Sequence, residues 1–140
     1  MYTPHTITLI IAEEVNDGIL YNPVVLRGVF LDLSKRSNLE KTGHADADAA
    51  TLYIPMSINP GKQYLPPKAY REQTDKAQYW TLFDGGKDSG TECFFIKGEV
   101  TEEVSYTEAR EHYDYVYRVT SVDMCDYGSA SMQHWEVGGR

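Results

Sequence analysis

Cysteine is nearly absent from this chain: Cys93 and Cys125 are the two in 140 residues. Such sparse usage suits reduced thiols in a cytoplasmic protein. A Cys93–Cys125 bridge would form only if their segments paired at the right spacing. Basic residues are also few, 13 against 21 acidic, for a net charge of −8. A freestanding nucleic-acid binder needs Lys and Arg to neutralise phosphates, so no sequence-specific nucleic-acid contact is expected. A small local basic patch remains compatible with this balance. Long hydrophobic runs are missing too. The apolar TITLIIA run at 6–12 is far too short to cross a bilayer. The opening MYTPHTITLI lacks the basic start of a secretion signal. No membrane association is expected, and the cytoplasm is the expected compartment. There is no internal repeat and no low-complexity tract. Arg140 alone follows Gly139, so neither a tail nor a further domain is expected. Residues 1–140 read as one domain. A chain of this length buries about two-thirds of its unfolded surface, enough for a single core.

What the chain does have is tyrosine, 11 residues within a 12% aromatic content. Tyr packs well in strands and at interfaces, with a large apolar ring and a polar tip. β-Branched and apolar segments recur between turn signals. Thr6–Ala12 predicts a first strand, and EEVNDG at 13–18 a turn. Ile19–Asn22 extends a hairpin, with Pro23 at an edge or bend. Val24–Leu33 predicts a second strand interrupted by Gly28, where a bulge or barrel corner is expected. Ser34–Ala50 predicts a long loop and Thr51–Pro55 a third strand. NPGK at 59–62 predicts a turn, and YLPPKAYREQ a short helix starting near Pro67. Tyr79–Phe83 and Glu92–Val100 predict strands flanking the DGGKDSGT loop at 84–91. Ser105 and Glu108 have capping-box spacing for one or two helical turns up to Tyr113. Tyr115–Asp123 and Met132–Gly139 predict a closing strand pair around a turn at 126–129. Period-two spacing puts Tyr115, Tyr117, Val119 and Ser121 on one face, and Val116, Arg118, Thr120 and Val122 on the other. Strands dominate without strand–helix alternation. The expected fold is mainly β: a small antiparallel β-barrel or sandwich of six to seven strands with one or two short helices.

Few residues suggest chemistry. His44, Asp46 and Asp48 alternate in GHADADA and would line one side of an extended loop, as ligands of a divalent cation do. The plainer reading, a solvated acidic loop whose aspartates cap turns, is preferred, and no metal or cofactor is assigned. DGGKDSG fails the phosphate-loop pattern, because Asp88 stands where a hydroxyl residue belongs and no strong helix follows. His5, His44, His112 and His134 lie far apart, so spacing assigns no Ser–His–Asp or Cys–His pair. His112 beside Glu108 and Glu111 is read as a helical charge pattern, and Cys93 as a small buried hydrophobe. Trp80 and Trp135, with Tyr53, Tyr64, Tyr70, Tyr79 and Tyr117, offer a sugar-stacking platform or, more commonly, a core or interface. YLPPKAY is read as a structural bend before a helix rather than a groove ligand. No catalytic residue is assigned, and the expectation is a non-enzyme.

In order, TITLI, VVLRGVFLD, KTGHADADAATLYIP, KQYLPPKAY, YWTL, CFFIKGEV, YVYRVTSVD and MQHWEVGGR span nearly the whole chain. This set resembles a family of small uncharacterised prophage proteins of Gram-positive gut bacteria. In size and strand content that family is similar to the head-closure and head–tail joining proteins of the siphophage neck. The resemblance implies a virion assembly component. It would be made in the host cytoplasm, self-associate in a ring, and bind the portal-side connector and the tail. Ring contacts would be head-to-tail between unlike surfaces. It also implies interface roles for Lys35, Arg36 and Lys41 in the long loop, and for Asp84, Lys87 and Asp88 in a loop that orders on docking. Alternatives are a tail-completion protein, a small metal-dependent enzyme using the acidic loop and a histidine, and a sugar-binding β-module using the tryptophans.

Overall fold

A computed structural model of the protein describes residues 2–33, 49–83 and 91–140. Strands β1 (His5–Val15) and β2 (Gly18–Asp32) form a long hairpin around Asn16 and Asp17. β3 (Ala50–Pro55) follows, then a crossover holding β4 (Gln63–Tyr64), α1 (Pro67–Arg71) and β5 (Tyr79–Trp80). β6 (Thr91–Lys97), α2 (Tyr106–His112), β7 (Val116–Cys125) and β8 (His134–Gly139) complete the order. Six strands close into a barrel in the order β1-β2-β3-β8-β7-β6. Every barrel pairing is antiparallel. The fold is therefore mainly β, and of the two expected forms it is the barrel.

The core follows from alternation. Ile7, Leu9 and Ile11 of β1 point inward with Leu52 and Ile54 of β3, Phe95 of β6 and Val137 of β8. β1 is covered on its outer face as well. Ile10 packs there with Phe94, Ile96, Val116 and Ala109 of α2. Thr8 is also buried, its hydroxyl donating to the Gly98 carbonyl (2.8 Å) and accepting from the Val100 N–H (2.8 Å). Burial on two faces explains why TITLIIA reads as a continuous apolar run.

Two bulges shape the barrel. Gly28 has φ +88°, and the β1–β2 register shifts between His5 and Thr6 opposite it. The extra residue lets Leu26 and Val29 both face the core, which strict alternation forbids. The second bulge lies at Thr120, where the β7–β8 register shifts between Val119 and Ser121. It overturns the expected faces of this strand: Tyr117, Val119 and Val122 all pack on the core, so Ser121 does not continue the Tyr117 row.

The crossover lies over the barrel end where β1 finishes and β2, β6 and β8 begin. It delivers Tyr70, Trp80, Leu82 and Phe83 into the core. Buried Asn22 of β2 ties it down. Its Nδ2 lies 3.1 Å from the Tyr70 hydroxyl, 3.0 Å from the Lys76 carbonyl and 2.9 Å from the Tyr79 carbonyl. Its Oδ1 accepts from Lys62 Nζ at 2.7 Å. Lys76 pairs with Glu13 in a mostly buried salt bridge. Burial lowers the Lys62 pKa below the ordinary lysine value.

Other boundaries differ from expectation as well: the turn expected over 13–18 narrows to Asn16 and Asp17, β7 runs on to Cys125, and β8 starts at His134 rather than Met132. The strand predicted over Tyr79–Phe83 stops at Trp80, because its one partner is the two-residue β4, with which it runs parallel. The strand predicted over Glu92–Val100 stops at Lys97, where Gly98 at φ +105° turns the chain. Ala50, read as loop, is a buried β3 residue opposite Gly139.

Candidate functional site

The outer face of the barrel carries a row of rings from four strands. His5 of β1 stacks on Phe30 of β2 at 5.6 Å, and Phe30 stacks on Tyr53 of β3 at 5.7 Å. Tyr53 meets His134 of β8 at 5.8 Å, and Tyr2 covers Phe30 at 6.3 Å. Cross-strand aromatic pairs stabilise a sheet face, so the row is partly structural. It also lines something: Tyr2, Phe30, Tyr53 and His134 border an open, mostly apolar groove of about 380 Å³. The His5 ring is held in one tautomer, since its Nδ1 accepts from the Leu31 N–H at 2.9 Å. Burial, then the carboxylates of Glu136 and Asp32, raise the Tyr53 pKa above its ordinary value.

At the His134 end the groove meets three potential metal ligands. Cys125 ends β7 and faces His134, which begins β8; Glu136 stands two residues along β8 on the same face. One ligand atom from each of Cys125, His134 and Glu136 lies within 4.8 Å of the other two. The adjoining loop is well braced. The backbone turns at Gly128 (φ +82°), the Gln133 amide donates to the Gly128 carbonyl (3.3 Å), and a 3-10 turn spans Ala130–Met132. His134 Nδ1 lies 2.8 Å from the Met132 carbonyl, which accepts only, so Nδ1 donates and Nε2 keeps the lone pair. The neighbouring Cys125 thiol is the main influence that raises the Tyr127 pKa above its ordinary value.

The residues singled out from sequence fare differently. His44, Asp46 and Asp48, and Lys35, Arg36, Lys41, Asp84, Lys87 and Asp88, lie outside the described residues. The tryptophans are core, not platform. Trp80 and Trp135 are 1% and 6% exposed and meet edge to face at 5.5 Å, with Tyr64 against both. Of the aromatic set, Tyr53 lines the groove. YLPPKAY is the expected bend, with Pro67 opening α1. Cys93 is fully buried, both cysteines are free, and burial pushes the Cys93 thiol up to about 12. His112 sits exposed in the last turn of α2, away from the cluster. The Cys125–His134 pair escaped sequence spacing because hairpin register, not distance along the chain, brings the two together. The available signal was a Cys and a His flanking a turn at the ends of two predicted strands.

These features define a small closed β-barrel with an apolar outer groove that ends in a cysteine, a histidine and a carboxylate. The chain belongs to a family of unknown function, DUF6751, whose model matches residues 2–140. No curated protein and no solved structure matches it. Among the described residues, no helix is long and apolar enough to cross a membrane.

Proposed function

We propose that the protein is a non-enzymatic structural component of a phage particle, made in the host cytoplasm and built into the neck between head and tail. The reading rests on the resemblance of the ordered segments to prophage proteins, and on a fold suited to side-chain-mediated assembly. Barrel closure gives each of its strands two neighbours, although β2 meets β3 only through Phe30–Asp32 and β6 meets β7 only through Phe94–Ile96. In this reading the contacts come from outer faces and hairpin tips.

The observation that carries the reading is a pair of unlike exposed apolar surfaces. One is the groove of Tyr2, Phe30, Tyr53 and His134. The other is the tip of the β1–β2 hairpin, where Val15, Ile19 and Leu20 are 48%, 53% and 41% exposed. A closed ring needs two different patches that meet head to tail. In this proposal the hairpin tip of one copy occupies the groove of the next, and the connector and tail contact the two ring faces.

The test is electron microscopy of lysates from an induced prophage lacking this gene. DNA-filled or leaking heads beside complete free tails would support the joining role. Complete heads beside defective tails would move the protein to tail completion. Normal infectious particles would remove the structural reading. Complementation with Phe30→Asp or Ile19→Asp is expected to restore soluble protein but not joined particles.

A further inference from the structure

We propose that Cys125, His134 and Glu136 form a binding site for a thiophilic divalent cation, zinc first among them. The chemistry of the donor set selects the metal. A thiolate with an imidazole suits zinc, whereas calcium and magnesium take oxygen ligands. Three protein ligands with a fourth position left to water is a common zinc arrangement. A zinc ion with bonds of about 2.0–2.3 Å separates its ligand atoms by roughly 3.3–3.8 Å. The three donors already lie within 4.8 Å of one another, so a small side-chain closure seats the ion.

The surroundings fit the same assignment. A ligating histidine commonly donates its other ring nitrogen to a carbonyl, which fixes the ring and raises its basicity. His134 makes the same kind of hydrogen bond through Nδ1 to the Met132 carbonyl, so Nε2 is the ring nitrogen open to a metal. Two ligands come from paired strand ends and the third from the same strand face, so the barrel holds their spacing. All three are partly accessible, which gives an ion a way in. Zinc would displace the thiol proton to solution and leave a thiolate bound to the metal. At the edge of the aromatic groove, the ion's open position would also accept a donor from whatever occupies that groove.

The experiment uses the full chain, with zinc chloride or cobalt chloride as the probe. Zinc is expected to raise the thermal midpoint as the logarithm of its concentration. At about 100 times Kd, iodoacetamide should modify Cys125 about 100-fold more slowly, since only the metal-free fraction reacts. Buried Cys93 serves as the internal control. Cobalt is expected to give a thiolate charge-transfer band at one equivalent, lost in Cys125→Ser and weakened in His134→Ala and Glu136→Gln. Circular dichroism of each variant would establish that it folds. Two outcomes would overturn the site: alkylation of Cys125 that zinc does not slow, or a thermal shift that survives Cys125→Ser/His134→Ala. In the latter case, loss of the shift in His44→Ala/Asp46→Asn/Asp48→Asn would place the metal on the acidic segment instead.

Discussion

Gly139 and Phe95 touch across the barrel wall: a β-carbon at Gly139 would stand 2.7 Å from the Phe95 ring and 3.0 Å from Cβ of Tyr117. Only a hydrogen fits, so the last strand can close against β7 without displacing the ring. Gly139→Ala is expected to destabilise the fold by about 1–3 kcal/mol, the usual cost of overpacking. The urea midpoint reports it. Phe95→Leu in the same chain should recover part of the loss, because the smaller side chain makes room. An unchanged midpoint in the single variant would show that Phe95 moves aside freely.

Asn22 holds the crossover against the barrel through both ends of its amide. Asn22→Leu keeps the volume but removes every one of these bonds. The Tyr70 hydroxyl loses its donor, and Lys62 Nζ keeps the Pro23 carbonyl at 3.2 Å as its remaining recorded partner. Unmatched buried groups cost about 1–3 kcal/mol each, so a loss in that range or somewhat above is expected. Hydrogen exchange should rise most in the crossover, at 62–80. Uniform exchange across the barrel would contradict its role as a local tie.

The two thiols should behave differently. In the native protein iodoacetamide is expected to label Cys125 and not Cys93; both react after unfolding. The Cys93 pKa is raised from 9.0 to about 12 in the fold. The folded state therefore holds its proton more tightly than the unfolded chain. Its contribution to stability is complete below pH 9 and is lost as pH climbs from 9 toward 12. Denaturant midpoints across that range should fall less in Cys93→Ala, once corrected for the cavity, than in the parent chain.

The capping box of α2 is present in full. The Ser105 hydroxyl accepts from the Glu108 N–H at 3.2 Å, and the Glu108 carboxylate accepts from the Ser105 N–H at 3.4 Å. Ser105→Ala is expected to cost about 1 kcal/mol. Because α2 covers Phe94, Ile96 and Val116, loosening it should also expose that outer cluster. Increased binding of a hydrophobic dye before global unfolding would report this, and dye binding equal to the parent's would oppose it.

Local signals in the chain are strong wherever neighbours along the sequence decide the outcome. Ser105 and Glu108 sit three residues apart, a helix-start signature that neighbours along the chain supply. Gly28 breaks a run of β-branched and apolar residues, and a glycine there admits the positive φ that a bulge needs. Pro67 opens α1 for a similarly local reason. Thr120 carries no such mark. Its bulge arises where β7 must keep both Val119 and Val122 on the core, a demand set by β8 and the barrel's closure.

Composition and periodicity by themselves determined a mainly β domain, its hairpins, its two short helices and the burial of Cys93. These follow from side-chain alternation, turn chemistry and capping, all of which act within a few residues. Tertiary structure alone decided that the sheet closes into a barrel, that Gly139 must yield space to Phe95, and that Trp80 and Trp135 fill the core. It alone set His5, Phe30, Tyr53 and His134 side by side on the outer face, and turned Cys125 toward His134 and Glu136. Strand register joins residues far apart in the chain, and no local pattern encodes it; the shape of the packed core does.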